Sequence, residues 1–318
     1  MKKIIALTMA VFMLLSLTAC GSESADDGKY TIGICQLVTH DALDAATNGF
    51  MQAVKDKLGE ENVEFDLQNA AGDSNTCASI ANAFVSAEVD LIMANATPAV
   101  QNAAAATADI PILGTSVTEY GVALDIKDFT GTVGGNVSGT SDLAPLEEQA
   151  DMLQAWFPDA KNVAMVYCSA EPNSKYQVDT MKSLLEGKGY TCEFFAFADS
   201  NDMQAVVNGA CEFADVIYVP TDNAVASSTD IIDGICRPAG IPIIAGEEGI
   251  CAGCGVATLS ISYYDLGYTT GEMAAKILKG EADISTMKIE YAPAVKKYNP
   301  EICEALGLTA PEGYVAIG

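Results

Sequence analysis

Residues 30–35, Tyr-Thr-Ile-Gly-Ile-Cys, form a short apolar run that is followed by an amphipathic pattern from 40 to 58. The run has the length and composition of a buried strand, and the pattern has the 3.6-residue period of a helix. Two more strand-helix pairs follow, at 63–68 with 76–87 and at 90–94 with 98–108, before a strand at 110–113. Strands and helices that alternate in this way predict βαβ units and a parallel sheet.

A similar alternation begins again after a glycine-rich stretch at 131–139. Helices are predicted at 143–156, 176–188, 203–212, 225–236 and 264–278, and strands at 163–167, 192–197, 216–219, 241–244 and 257–261. The fold class is therefore α/β, with two Rossmann-like lobes joined by a hinge near residue 139. Two such sheets bring the carboxyl ends of their strands to a shared crevice, where ligands bind.

The amino terminus has the parts of an export signal. Met1-Lys2-Lys3 is positively charged, residues 4–17 are mostly apolar, and Leu17-Thr18-Ala19-Cys20 closes the run. The run is shorter than the about 20 residues of a membrane-spanning helix, and it predicts a signal peptide at 1–19. The last four residues resemble a bacterial lipobox, which predicts lipid attachment at Cys20 and a polar tether at 20–28. The alternative is an ordinary cleaved signal with a chance cysteine.

Composition limits the partners of the exported chain. Removal of residues 1–19 takes away Lys2 and Lys3, which leaves 14 of the 16 basic residues against 43 acidic ones, a net charge of −29. Such a charge argues against nucleic acid and anionic lipid surfaces as partners. Membrane contact is expected through the lipid anchor only.

Polar residues follow the predicted strands at five places. These junctions are Ala96-Thr97-Pro98-Ala99, Ser116-Val117-Thr118, residues 169–174, Thr221-Asp222-Asn223 and Gly246-Glu247-Glu248. Helix amino termini present free N–H groups that suit a carboxylate. A plain helix-capping role is the alternative for Thr97, Ser174 and Thr221.

Five motifs, in order along the chain, carry a resemblance to a known family. They are residues 34–44 (Ile-Cys-Gln-Leu-Val-Thr-His-Asp-Ala-Leu-Asp), 134–139 (Gly-Gly-Asn-Val-Ser-Gly), 218–223 (Tyr-Val-Pro-Thr-Asp-Asn), 245–247 (Ala-Gly-Glu) and 263–268 (Tyr-Tyr-Asp-Leu-Gly-Tyr). The mature chain resembles the solute-binding lipoproteins of ABC importers that take aromatic amino acids, the TrpX-like family.

That resemblance implies a type I periplasmic-binding-protein fold with several crossovers between its lobes. The first lobe is expected at 29–139 plus 262–282, and the second at 140–261 plus 283–318. It also implies a monomer that captures a small ligand by hinge closure, outside the cytoplasmic membrane, and delivers it to ABC permease subunits.

An amino-acid ligand needs a carboxylate for its ammonium group and donors for its carboxylate. The candidate acids are Asp142, Glu171, Asp222, Glu247 and Asp265, of which Glu247 and Asp222 are preferred because each directly follows a strand. The ligand carboxylate is expected at the hydroxyls of Thr97 and Thr118 and at N–H groups near Ala99 or Ser141, since the sole arginine, Arg237, lies at a helix end remote from the crevice. Pro98 is a further candidate ligand contact. The other candidate contacts are Thr39, His40, Asn173, Ser174, Thr221, Asn223 and Tyr264.

Other functions remain open from the sequence. The ligand could be a sugar, a nucleoside or a branched amino acid, and a surface adhesin or sensor could share this fold. Cys251-Ala252-Gly253-Cys254, in a glycine-rich turn, could serve an exported thiol oxidoreductase. With His40 the only histidine, a Ser-His-Asp site has one possible base. We expect no catalysis, no cofactor and no metal.

Overall fold

The structure, a computed structural model, describes residues 28–317. Its strands are β1 Tyr30–Gln36, β2 Val63–Asn69, β3 Leu91–Asn95, β4 Ile112–Val117, β5 Val137–Ser141, β6 Asn162–Cys168, β7 Thr191–Phe197, β8 Val216–Val219, β9 Ile243–Ala245, β10 Ala257–Ser260, β11 Glu290–Tyr291, β12 Val295–Tyr298 and β13 Val315–Ala316. Its α-helices are α1 Asp41–Leu58, α2 Ser74–Ser86, α3 Thr97–Ala106, α4 Tyr120–Ala123, α5 Leu146–Trp156, α6 Pro172–Gly187, α7 Ser200–Phe213, α8 Asn223–Ala226, α9 Thr229–Ala239, α10 Glu248–Cys254, α11 Tyr263–Leu278 and α12 Pro300–Ala305.

The first sheet has the strand order β11-β5-β4-β3-β1-β2, and its paired strands run parallel. Strand β1 lies inside it, between β2 and β3. Ile32 and Ile34 are fully buried, because helices cover both faces of a parallel sheet and leave its strands continuously apolar.

The second sheet has the order β13-β12-β10-β9-β8-β6-β7. Its central strands run parallel, whereas β12 pairs antiparallel with β10. The sequence predicted parallel sheets and missed this strand, which carries Lys296 and Lys297 and lacks a continuous apolar run.

Two strands cross the boundaries that the sequence predicted for the lobes. Strand β5 ends at Ser141, two residues beyond 139, and β11 joins the first sheet from within 283–318. The sequence pattern did not predict β5, because its residues, Val-Ser-Gly-Thr-Ser, are small and mostly polar. Here they pair with β4 on one side and with the short edge strand β11 on the other, and all five are buried.

Helix α11 returns to the first lobe and packs against α1. A Cβ at Gly267 would lie 1.9 Å from the carbonyl oxygen of Ala46, and one at Gly49 would lie 2.1 Å from that of Tyr264. The two helices therefore touch backbone to backbone, an approach that only glycine permits.

Two other predictions differ locally from the structure. The helix predicted at 225–236 is divided into α8 and α9 at Ser227 and Ser228. The Cys251–Cys254 motif lies in helix α10 and not in a turn, since Glu247 caps that helix and Ile250 anchors it in the core.

Within residues 28–317, each helix is too short or too polar to cross a membrane. The predicted signal peptide, Cys20 and most of the tether lie outside the described residues.

Candidate ligand-binding cleft

The carboxyl ends of both sheets' strands face each other across a cleft that is lined by buried polar groups. Most of the residues predicted as ligand contacts lie here with less than a tenth of their surface exposed: Thr97, Pro98, Ala99, Thr118, Ser141, Asp142, Glu171, Asn173, Ser174, Asp222, Asn223 and Glu247. Thr221 is partly buried beside them, where its hydroxyl donates to the carbonyl oxygen of Gly246. The two lobes thus enclose the groups that the sequence placed at strand ends.

Asp142 directly follows β5 and holds the one carboxylate oxygen of this cleft that has no protein partner. Its Oδ2 accepts a hydrogen bond of 2.9 Å from the hydroxyl of Tyr263, whereas its Oδ1 is buried without a partner among the described residues. Burial raises the pKa of Asp142 to about 6, the hydrogen bond from Tyr263 and the hydroxyl of Thr118 oppose the rise, and the negative charge of Glu171 adds to it. An unpartnered buried acceptor has a free-energy cost that a ligand donor would remove.

Glu247 caps helix α10. Its Oε2 accepts from the N–H of Gly249 at 2.7 Å, and its Oε1 accepts from the N–H of Ile250. Burial raises the pKa of Glu247 to about 7, against the effect of these two bonds, and the nearby Asp142 and Glu248 raise it further. The side chain therefore has a structural role in addition to its negative charge in the cleft.

Asp222 is also occupied by backbone groups. It caps α8 through the N–H of Val225 at 2.9 Å and accepts from the N–H of Cys168 at 2.7 Å. Burial and the charge of Glu171 raise the pKa of Asp222 to about 7. Since both oxygens are already bonded, Asp222 positions the strand ends of the second lobe.

Glu171 joins two helix starts of the second lobe. Its carboxylate accepts from the side-chain amide of Asn223 at 2.7 Å and from the N–H groups of Asn223 and Ala224 at 3.1 and 2.9 Å. Asn173 donates to the same carboxylate at 3.1 Å. These bonds fix the orientation of Asn223.

His40 connects the lobes directly. Its Nε2 lies 3.2 Å from Oδ1 of Asn223, and the amide of Asn223 is turned toward Glu171, so the imidazole Nε2 donates across the cleft. Burial lowers the pKa of His40 and so favours the neutral ring, whereas the hydrogen bond with Asn223 and the charge of Glu171 oppose the shift. The bond is made between the start of α1 in the first lobe and the start of α8 in the second.

The opposite wall of the cleft carries strained backbone at the start of α3. Ala96 and Ser116 have φ values of 96° and 54°, and the N–H of Ala96 donates to the carbonyl of Thr115 at 3.0 Å. The hydroxyl of Ser116 is buried and has no partner within residues 28–317. Strain of this kind persists where the surrounding structure holds it, often at ligand sites. The start of α3 directs its dipole and N–H groups toward the cleft.

Three predicted contacts lie outside the buried cluster. Thr39 is exposed and accepts from the side chain of Asn69, Tyr264 is exposed and stacks on Tyr268 at 6.4 Å, and Asp265 is exposed in the first turn of α11. Tyr263 and Ser116, which were not among the predicted contacts, are buried in this cluster. Adjacent residues at a helix start point in different directions, and only the packing of α11 against the cleft selects Tyr263 over its neighbour.

The Cys251–Cys254 motif lacks the features of a redox site. Both thiols are buried, and they donate to the carbonyl oxygens of Gly255 and Ile250 at 3.7 and 3.3 Å. Burial raises the pKa of each thiol, the reverse of what a reactive thiolate requires. Across residues 28–317, no three His, Cys, Asp or Glu side chains are grouped to hold a metal.

Two α/β lobes around an enclosed polar cleft define a solute-binding protein of the type I periplasmic-binding-protein fold, as the sequence predicted. The chain belongs to the ABC transporter substrate-binding protein family, whose model matches residues 31–316. Proteins of this family bind solutes for ABC importers outside the cytoplasm and are not enzymes. Permease subunits are their partners.

Three relatives are informative. A tyrosine-binding protein of Clostridioides difficile (strain R20291) is 38% identical over 295 residues, which cover 88% of this chain and 85% of that protein. A Streptococcus pneumonia ABC domain in complex with L-Trp is 30% identical, with a TM-score of 0.86 over 91% of this chain and 100% of that one. A ligand-free, open substrate-binding protein with adhesive properties from Clostridium difficile is 39% identical, with a TM-score of 0.69 over 91% of this chain and 99% of that one.

The two solved structures differ in how closely they match the structure of this chain. The L-Trp complex fits better than the open structure although its sequence is less similar, 30% against 39% identity. The arrangement of the lobes in this structure therefore resembles the ligand-bound form, which agrees with the direct contact between His40 and Asn223.

The raised pKa values predict how stability depends on pH. The pKa values of Asp142, Asp222 and Glu247 are higher in the folded protein than in the unfolded chain. Their stabilising effect is complete at low pH and is lost as pH rises through the folded values of about 6 and 7. The unfolding free energy of the ligand-free protein should fall by about 2 kcal/mol between about pH 6 and about pH 8 in urea denaturation.

The variant Glu247→Gln should make that fall smaller. The lowered pKa of His40 acts in the other direction, but its effect is confined to pH values below about 6.5. A stability that stays level or increases over the same pH interval would contradict this account of the buried acids.

Proposed function

We propose that the protein captures a free aromatic amino acid, L-tyrosine, L-tryptophan or L-phenylalanine, in the cleft and delivers it to an ABC permease. The observation that carries the proposal is the buried negative charge of the cleft with its unpartnered Asp142 oxygen. The choice of an aromatic ligand rests on the relatives, one of which is named for tyrosine and another of which holds L-Trp.

The ligand ammonium is proposed to bind Asp142. The negative charge of Glu247 would attract the same ammonium group. The charge of Asp142 raises the pKa of Glu247, and the charges of both acids raise the pKa of the Tyr263 hydroxyl. The basic side chain beside Glu247 is engaged elsewhere, since Lys297 pairs with Glu248. A cationic group from the ligand would stabilise these acids in their charged form. Asp142 thus replaces Glu247 and Asp222 as the preferred ammonium partner, because both of those acids cap helices.

The ligand carboxylate is proposed to meet the first-lobe wall of the cleft, at the start of α3. The buried hydroxyls of Thr97, Ser116 and Thr118 and the N–H of Ala99 provide neutral donors there. A helix amino terminus favours an anion through its dipole. This arrangement recognises a carboxylate without an arginine.

The aromatic side chain is proposed to occupy the adjoining cavity between the lobes. The cavity has a volume of about 400 Å³, and Leu37, Val38 and Pro98 give it an apolar side in the first lobe. Cys168 and Ala170 face it from the second lobe. Its size is within the range of small-molecule sites, and its apolar lining suits a ring.

Ligand analogues would test the two polar ends of the site separately. In titration calorimetry, L-tyrosine, L-tryptophan or L-phenylalanine should bind. Tyramine, which lacks the carboxylate, and 3-(4-hydroxyphenyl)propionate, which lacks the ammonium, should bind at least about tenfold more weakly. Binding of a sugar, a nucleoside or leucine with no heat from any aromatic amino acid would replace the proposed ligand with the alternative.

A charge-removing substitution would test the ammonium partner. Asp142→Asn keeps the size of the side chain and an oxygen for the Tyr263 hydroxyl, but it removes the negative charge. Affinity for the aromatic amino acid should fall by about tenfold to a hundredfold, the usual value of a buried charge-assisted hydrogen bond. Asp265→Asn, at an exposed acid, is the matched control and should leave affinity unchanged. Equal affinities for the two variants would remove Asp142 from the site.

The ligand is proposed to hold the lobes together through both walls at once. The donors and Asp142 on the first sheet and the charge of Glu247 from the second then engage one molecule, and the His40–Asn223 hydrogen bond adds a protein contact to the closed form. A ligand shifts the equilibrium between open and closed forms by its difference in affinity for them. The closed monomer is the form proposed to dock on the permease.

The protein is further proposed to be a lipoprotein held at the outer face of the membrane by Cys20. The support is the signal-like segment ending in Leu17-Thr18-Ala19-Cys20. Cells fed an alkyne-tagged palmitate should label the wild-type protein but not Cys20→Ser. The control Cys211→Ser should keep the label, and equal labelling of wild type and Cys20→Ser would exclude this anchor.

A further inference from the structure

Two cysteines on neighbouring helices of the second lobe form a close thiol pair away from the ligand cleft. The sulfur atoms of Cys211, in the last turn of α7, and Cys236, near the end of α9, lie 3.5 Å apart. The pair packs in the layer of side chains beneath α7 and α9. Cys236 is 1% exposed, whereas Cys211 is partly open to solvent.

In this pair, Cys211 has the properties of an attacking thiol and Cys236 those of a resolving thiol. The hydrogen bond with Cys236 lowers the pKa of Cys211, while the same contact and burial raise the pKa of Cys236. A solvent-accessible thiol of lowered pKa beside a second cysteine is the arrangement of oxidation-prone sites.

A second thiol pair in the first lobe provides an internal comparison. Cys35 on β1 and Cys77 on α2 are hydrogen-bonded to each other, but they are 1% and 0% exposed. A soluble oxidant can reach a sulfur only where that sulfur is open to solvent. Exposure therefore separates the two pairs, although both are close.

We propose that Cys211 and Cys236 are a disulfide-forming site that staples α7 to α9 when the protein meets a low-molecular-weight disulfide such as oxidised glutathione. The Cys211 thiolate attacks one sulfur of glutathione disulfide, whose S–S bond breaks and releases one glutathione thiolate, which takes up a proton. Cys236 then loses its proton and attacks the Cys211 sulfur, and the second glutathione leaves as a thiol. Two protein thiols are oxidised, and one glutathione disulfide is reduced to two thiols.

The position of the pair determines what the disulfide changes. In a parallel α/β lobe the helices run antiparallel to the strands, so the carboxyl ends of α7 and α9 lie at the sheet edge opposite the cleft. A bond there restrains the unfolded chain between residues 211 and 236 and leaves the ligand site untouched. The oxidised protein is thus the more stable form.

Peptide mapping of the purified protein tests the site. After incubation with oxidised glutathione and alkylation of free thiols, cleavage with trypsin and Asp-N should yield one linked pair of peptides, 202–214 and 233–264, and fragmentation of the second peptide should place the bridge at Cys236 and not at Cys251 or Cys254. The melting temperature of the oxidised protein should exceed that of the reduced protein by about 5 °C. Cys211→Ser, at the partly exposed member, should abolish both the linked pair and the shift.

The variant Cys77→Ala is the matched control, and it should keep the linked pair and the shift. A Cys211–glutathione adduct that does not pass to Cys236 would overturn the proposal. A linked pair at Cys35 and Cys77, or equal melting temperatures for oxidised and reduced protein, would overturn it as well.

Discussion

Burial of negative charge between the two lobes is the constraint on which this structure depends. Asp142, Glu171, Asp222 and Glu247 are each less than a tenth exposed. An isolated buried carboxylate is costly, so each one needs donors or a proton. Three of them accept hydrogen bonds from backbone N–H groups at helix starts, namely Glu171, Asp222 and Glu247. These three acids therefore stabilise the second lobe. A site that remains short of positive charge is thereby poised for a cationic ligand group.

Asp142 differs from the other three acids because it belongs to the first sheet's edge and not to a helix cap. It follows β5, and its partner Tyr263 starts the helix that returns to the first lobe. The acid therefore lies where the chain passes from one lobe to the other. A ligand bound there would contact the segments that connect the lobes, which links occupancy of the cleft to their relative position.

The return of α11 requires close contact of two helix backbones. Gly49 and Gly267 have no room for a side chain against the facing carbonyl oxygens. This contact holds the start of α11, and with it Tyr263, at the rim of the cleft. The packing of α11 against α1 thus sets the geometry of the proposed site for the ligand ammonium.

The sequence by itself determined the alternation of strands and helices and the polar residues at strand ends, because these depend on local period and composition. The structure agrees on most elements and brings twelve of the seventeen predicted contacts into the cleft as buried residues, with Thr221 and His40 at its partly buried margin. Tertiary structure alone decided which buried acids are bonded to N–H groups at helix starts and which carboxylate oxygen, on Asp142, has no protein partner in the described part of the chain. It also decided that Tyr263, and not Tyr264, faces the cleft, and that β5 and β11 join the first sheet. Burial and strand pairing depend on partners distant in the chain, and a local pattern carries no information about them.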